Sequence, residues 1–310
     1  METNSPLSCP ISRNLIYLLS IDARQSISQL SRILNENRKI VENRVKKLYE
    51  KGYVKPLLIV NEKEMLSVTI LLKLNKIDST IIQKIKQIKN LLKLKEILGN
   101  YDLSILCEVR SQQDVDDLIS NLSKLLHGTI LSFDVLIHRY EDTLGYKYFC
   151  EDFNLLTKYN HLSQQKKSFS KDVRENIDYL RKNPSSTLFR QSKETRVPFK
   201  KLKKIISDSL EDKSIRFSID PDYDKLGLEF HNILIKINPA EKEKFEKYIL
   251  AHPHIHWVKH CSGRWDYVLS LVAKDMNEFV DLSREIRNNN KNVILEENTL
   301  VSKIMVKRRY

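Results

Sequence analysis

The stretch SGRWDYVLSLVAKD, Ser262 to Asp275, has an earlier echo in LGNYDLSILCEVRS, Leu98 to Ser111. Both read Gly-x-aromatic-Asp followed by an apolar run, with Asp102 in the first and Asp266 in the second, about half the chain apart. Glycine permits positive φ in a tight β–β connection, and the apolar run reads as a strand. Working outward from either turn gives one order of elements. Before the first turn lie a strand (67–74), a helix (79–90) with Ile81, Ile82, Ile85 and Ile88 at helical spacing, and a second strand (91–98). After it come a third strand (103–109), a helix (112–127) and a fourth strand (128–138). Around the second turn the same order runs through 229–237, 240–251, 254–261, 267–273, 275–288 and 292–306. This is βαββαβ, the split-βαβ or ferredoxin-like plan, written twice.

A second repeat precedes each of these. ISRNLIYLLSI (11–21) carries a helical apolar stripe, and Ser26 with Gln29 makes a capping-box pattern for a short helix through Leu34. Asn37 suits the N-cap of a third helix with Val41, Val45 and Leu48 inward, and Gly52 ends it. YVKPLLIV then reads as an extended wing interrupted by Pro56. Three helices with a tight turn and a wing describe a winged helix-turn-helix. It recurs as DVRENIDYLRK (172–182), STLFRQSKE and RVPFKKLKKIISDSL (196–210), with Pro198 in a first helical turn and SIRFSI (214–219) as wing.

The fold class is therefore α+β, two tandem copies of a winged helix-turn-helix plus a ferredoxin-like βαββαβ domain. The expected units are 11–60, 65–140, a linker at 141–168, 169–222 and 226–310. The linker is too aromatic for a free tether and is expected to pack on a neighbouring surface.

Charge is concentrated in the same modules. The chain carries +13 overall. Residues 11–55 hold ten Lys/Arg against four Asp/Glu, and residues 166–218 hold fifteen against seven, so the rest is close to neutral. Two separated basic modules suit a polyanion partner, double-stranded DNA. No apolar run reaches the roughly 18–20 residues that span a bilayer, so no membrane partner is expected. Cys9, Cys107, Cys150 and Cys261 form no CxxC pair, which suggests a reduced, cytoplasmic protein without a disulfide framework or zinc knuckle.

Taken together, these features resemble the Lrp/AsnC (feast/famine) transcriptional regulators. DAR at 22–24, SISQLSRIL, and VENRVKKLYEKGYV at 41–54 fit the first module, with Arg44, Leu48 and Gly52 at the family's usual Arg, Leu and Gly. DPDYDKLGLEF (220–230) resembles the link into the family's ligand-binding (RAM) domain, and GRWDYVLSLVAKD resembles its signature turn. The resemblance implies βαββαβ domains paired face to face into a dimeric α/β barrel, within one chain or between chains. It also implies a homodimer or higher oligomer, and a small effector such as an amino acid bound near the turns. The candidate effector residues are Gly99, Tyr101, Asp102, Gly263, Trp265 and Asp266, with Tyr101 and Trp265 offering stacking surface.

On the third helix, Arg38, Lys39 and Asn43 are placed for base edges, and Arg44, Lys46 and Lys47 for phosphates. The second module is degenerate. Aligned on the first, it puts Gln191, Glu194 and Lys213 where the first has Leu30, Ile33 and Gly52. Its third helix is still basic, through Lys200, Lys201, Lys203 and Lys204, which suits phosphates more than sequence reading.

Two further features point elsewhere. His252, His254, His256 and His260 lie close together, but the first copy has no counterpart, so no metal or cofactor is assigned. Siroheme decarboxylases resemble this family fold turned to enzymatic use, and His138-Arg139 with the histidine cluster hint towards them. Both Gly-x-aromatic-Asp turns and a well-formed first module favour a DNA-binding regulator that is not an enzyme. A sensor acting through protein partners is the third class.

Overall fold

The computed structural model of the chain describes residues 6–152, 154–156 and 167–307. The first module consists of α1 (Pro10–Ile21), α2 (Ile27–Leu34) and α3 (Arg38–Glu50). The capping box forms: Ser26 Oγ accepts from the Gln29 N–H, and Gln29 Oε1 accepts from the Ser26 N–H. Asn35 takes a left-handed conformation between α2 and α3, and the Asn37 side chain caps α3 through the Lys39 N–H. β1 (Val54–Val60) follows.

The first βαββαβ copy comprises β2 (Leu66–Leu74), α4 (Ser79–Lys86), β3 (Leu91–Leu98), β4 (Leu103–Val109), α5 (Gln112–Leu125) and β5 (Ile130–Thr143). A short 3-10 turn at Lys147–Phe149 then buries Tyr146 and Phe149 in the same core as α1. The second module is α6 (Lys171–Lys182), α7 (Leu188–Thr195), α8 (Phe199–Glu211) and β6 (Ile215–Pro221). Arg196, the counterpart of Asn35 in this module, again takes the left-handed conformation. Pro198 is the N-cap of α8 rather than a residue of its first turn. A one-turn helix α9 (Tyr223–Leu226), absent from the sequence reading, leads into the second copy. That copy contains β7 (Glu229–Ile237), α10 (Lys242–Ala251), β8 (Ile255–Ser262), β9 (Tyr267–Ala273), α11 (Met276–Asn289) and β10 (Ile294–Lys307).

The two copies close on each other within the chain. Their eight strands form one closed barrel in the order β10-β3-β4-β2-β5-β8-β9-β7. Each copy ends in a long strand that outruns its own sheet and pairs with the other copy. β5 joins β8 from Ile137↔Ser262 to Thr143↔Trp257, and β10 joins β3 from Val301↔Leu98 to Lys307↔Lys93. A closed barrel leaves no exposed sheet edge. Period-2 alternation divides its two faces. In β2, Val68, Ile70, Leu72 and Leu74 pack in the core shared with α4 and α5, while Ser67, Thr69 and Leu71 line the interior.

The modules are tied to each other as well. β1 pairs antiparallel with β6, from Val54↔Pro221 to Val60↔Ile215, so the wings form one two-stranded ribbon shared by both modules. Pro56, expected to interrupt the wing, lies inside β1 opposite Ile219. β1 is hydrogen-bonded along one edge only, so the missing N–H interrupts no second ladder.

Candidate functional sites

Two features stand out, an open helix face and a chamber beneath the wings. On α3, Val41 and Leu48 are buried, which turns Arg38, Lys39, Asn43, Lys46 and Lys47 to solvent, with Arg44 half-buried. Among the described residues Arg38, Lys39, Arg44 and Lys47 enter no ion pair, and Lys46 makes only a long one to Glu50 at 3.8 Å. On α8, Lys200, Lys201, Lys203 and Lys204 are exposed too, and Lys201 Nζ lies 3.0 Å from Asp172. At the position of Arg38, however, α8 presents the exposed Phe199. Gln191 is fully buried where the first module has Leu30; its amide donates to the Asn176 carbonyl at 3.0 Å, but its Oε1 finds no partner among the described residues.

The two Gly-x-aromatic-Asp turns meet at the seam between copies. Tyr101 and Trp265 are 5% and 1% exposed, so their rings face the core rather than a ligand arriving from solvent. Trp265 Nε1 donates to Tyr101 Oη at 3.2 Å, and Tyr101 donates to Asp134. Asp102 accepts from the Leu74 N–H at 2.7 Å and from Lys73 at 3.0 Å; Asp266 accepts from the Ile237 N–H at 2.9 Å. Gly99 and Gly263 have φ of 130° and 138°. At Gly263 a Cβ would stand 2.5 Å from the Val135 carbonyl oxygen, so one copy's turn is pressed onto the other's last strand. Together with Leu71, Ile97, Leu136, Leu234, Val268 and Leu300, the two aromatic rings plug the barrel interior.

Above this plug the interior opens into a chamber of about 320 Å³, roofed by β1 residues Pro56–Val60 and by Asn61 just beyond them. That volume falls in the range of small-molecule sites, roughly 300–1,000 Å³. Its walls bring Lys93 and Lys95 from β3, Lys259 from β8, Lys307 from β10 and Arg181 from α6 to one space. Some of these charges are matched: Arg181 by Glu108 at 3.3 Å, Lys259 by Glu141 at 3.5 Å and Lys307 by Asp220 at 2.5 Å. Lys93 and Lys95 have no carboxylate partner among the described residues. Lys95 is 7% exposed, and its ammonium donates to Asn232 Oδ1 at 2.6 Å. Burial lowers both lysines, assisted by the charges of neighbouring lysines and, at Lys93, opposed by Asp220 and Glu141, bringing Lys93 to about 8 and Lys95 well below its ordinary value. Although burial alone would raise Glu141, Lys259 and His138 hold it well below the usual carboxylate range. His138 is buried in the same wall, its Nε2 2.9 Å from Thr69 Oγ1 and its Nδ1 3.2 Å from Glu141.

The histidine-rich strand is divided among separate surroundings. His256 is fully buried among Tyr146, Phe149 and Tyr223, its Nδ1 3.1 Å from the Tyr223 hydroxyl. His260 stacks on Tyr140 with ring centroids 3.8 Å apart and places Nε2 2.8 Å from Asp142. Residue by residue, the sequence reading did not single out the chamber lysines; their one signal is the i, i+2 spacing of Lys93 and Lys95, which puts them on one strand face.

Residues 232–303 match the family model of the Lrp/AsnC ligand binding domain. The second copy is thus similar to that domain over nearly all of its length. Two solved structures are similar over nearly the whole chain, both of the siroheme decarboxylase NirDL. One has 13% identity and a TM-score of 0.61, covering 97% of this chain and 93% of that one. The other holds an iron-uroporphyrin III analogue, with 13% identity, a TM-score of 0.59, and coverage of 96% and 92%. A transcriptional regulator from Neisseria meningitidis in complex with L-Met has 15% identity and a TM-score of 0.38, covering 46% of this chain and 92% of that one. No curated protein matches the chain. The full-length likeness corrects one expectation. A chain that shares this fold over nearly its whole length is a decarboxylase, so the fold does not support the reading that the chain is no enzyme. Among the described residues no helix is long and apolar enough to cross a membrane.

Proposed function

We propose that the chain is a ligand-responsive, DNA-binding transcriptional regulator of the Lrp/AsnC type. The observation that carries this reading is the open face of α3, where Arg38, Lys39, Asn43, Lys46 and Lys47 are exposed on a helix whose opposite face is buried. A major groove admits such a helix; Arg suits guanine, Asn suits adenine, and the remaining cations suit phosphates. The α8 lysines would add affinity without sequence reading. Two chains associated about a two-fold axis would set their first modules on symmetric half-sites, separated by about 34 Å or a multiple of it. An amino acid or another small effector would act through the paired domains, in the reduced, cytoplasmic setting that the cysteine pattern suggests.

The test is fluorescence anisotropy on the chain's own upstream DNA and on a scrambled duplex across a salt series, with Arg38, Lys39 and Asn43 also changed to Ala. The reading expects preference for the native duplex, steep weakening with salt, and loss of the preference in the triple variant. Equal binding of both duplexes by the parent chain would overturn it.

A second reading is favoured by the chamber and by the full-length likeness to siroheme decarboxylase: an enzyme that removes carboxylate from a tetrapyrrole. There a carbon–carbon bond would break, carbon dioxide would leave and a proton would take its place. Incubation with siroheme, followed by mass analysis for loss of carbon dioxide, separates this reading from regulation alone.

A further inference from the structure

We propose that the chamber between the wing ribbon and the barrel plug is a binding site for a polycarboxylate, hooked by Lys93 and Lys95. Three observations converge on that ligand class. Chain-made partners already answer Arg181, Lys259 and Lys307, whereas the ammonium groups on β3 face the chamber without a carboxylate of their own. Lys95 is buried without an opposite charge, which is costly, and Lys93, half-buried two positions away, adds repulsion that the more distant Asp220 and Glu141 offset only in part. The walls around them are otherwise suited to an apolar body, with Leu92, Leu106, Phe230, Trp257 and Ile304 among the lining residues. An apolar ligand with two or more carboxylates would answer both walls: its carboxylates would neutralise Lys93 and Lys95, and its body would displace water from the aliphatic and aromatic surface.

The site has a pseudo-symmetric frame. Lys259 stands to Lys95 as Asp266 stands to Asp102 in the two signature turns, so the same position of both copies contributes a lysine. At the position of Lys93 the second copy has Trp257. The β3–β10 side of the chamber therefore holds Lys93, Lys95 and the Asp220-paired Lys307, and the β8 side holds Lys259 beside an indole. That arrangement suits a ligand whose carboxylates are more numerous at one end.

Because the roof is β1, occupancy bears on the DNA-binding modules. A ligand touching Leu57 and Ile59 above and Lys95 below would clamp the wing ribbon to the barrel, and β1 leads directly back to α3. This coupling rests on the DNA-binding reading; the ligand site itself does not.

The test uses the full chain and two probes, citrate and uroporphyrin III, titrated by calorimetry, with tryptophan fluorescence as a second readout, since Trp257 lines the chamber. Lys93→Met/Lys95→Met and Lys93→Gln/Lys95→Gln variants serve as comparisons. The proposal expects saturable one-to-one binding of at least one probe and at least tenfold weaker binding in both double variants, each of them still folded by circular dichroism. Uroporphyrin binding supports both parts of the site, whereas citrate alone would uphold the lysine hook and overturn the part assigned to the apolar walls. Binding of neither probe, or equal binding by parent and variants, overturns the site. Anisotropy on the native duplex with the bound probe then addresses the coupling: a several-fold change in the parent but not the variants supports it. An unchanged midpoint overturns the coupling and leaves the site intact. If the parent fails to distinguish native from scrambled duplex, the DNA-binding reading fails while the calorimetry still decides the site.

Discussion

At the scale of single residues, Lys213 shows what duplication left behind. Gly52 ends α3 with φ of 69°, and its counterpart Lys213 is held at φ of 59°. A side chain in that left-handed region costs about 1–2 kcal/mol. Lys213→Gly is therefore expected to stabilise the second module by about 1 kcal/mol, read as a higher denaturant midpoint at unchanged slope. A lower midpoint would mean that the lysine side chain has a supporting role. His256 gives a pH prediction. Burial lowers it to about 3, with the charges of His254 and Lys147 adding to the effect. The unfolded chain then binds a proton that the folded chain refuses, so this contribution to stability is complete above about pH 6.5 and lost as the pH falls towards 3. A His256→Gln variant should show a flatter fall in unfolding midpoint between pH 7 and pH 5 than the parent. Parallel curves would assign the acid sensitivity elsewhere.

At the scale of elements, α3 and α8 share a geometry but not a surface. The αL turn residues Asn35 and Arg196 correspond, as do the buried Val41 and Leu202. The outward residues differ, Arg38 against Phe199 and Asn43 against Lys204. Changing Lys200, Lys201, Lys203 and Lys204 to Ala should weaken DNA binding alike on native and scrambled duplexes and make it less steep in salt, by up to about four in the slope. Loss of discrimination between the duplexes would instead make α8 a reader of sequence. Such elements were legible because helical and strand periods, caps and the repeated turn are local signals: Ser26 with Gln29, Asn37 and LLKLKEIL all stand where the pattern puts them. The pairing of β1 with β6 was not legible, since nothing within VKPLLIV names a partner strand in the distant second module. The chamber was hidden for a related reason. Alternation places Lys93 and Lys95 on one face of β3, but lysines on a strand face ordinarily meet water. Only closure of the barrel turns that face inward.

At the scale of the whole molecule, the barrel is completed by strands that each copy lends to the other. A lone half would expose the edges of β3 and β5, or of β8 and β10, where the other copy now pairs. Expressed separately, residues 1–152 and 167–310 should each self-associate and, on mixing, form a one-to-one complex by light scattering. A half that remained a soluble monomer would sink this account of the closure. The signature turns belong to the same argument. Trp265 meeting Tyr101, and Gly263 pressed onto Val135, make them the hinge pins of the pairing, whatever else they touch.

The closure within one chain also changes how this protein can vary. Where two identical subunits build such a barrel, every substitution lands twice, and a change good for one wall is imposed on the wall opposite. Here a codon alters one wall only. Lys93 and Trp257 could part ways while Lys95 and Lys259 stayed alike, and α8 could drift from α3 without disturbing it. The joined chain has thus doubled the number of independent letters with which the interior and the two basic helices are spelled.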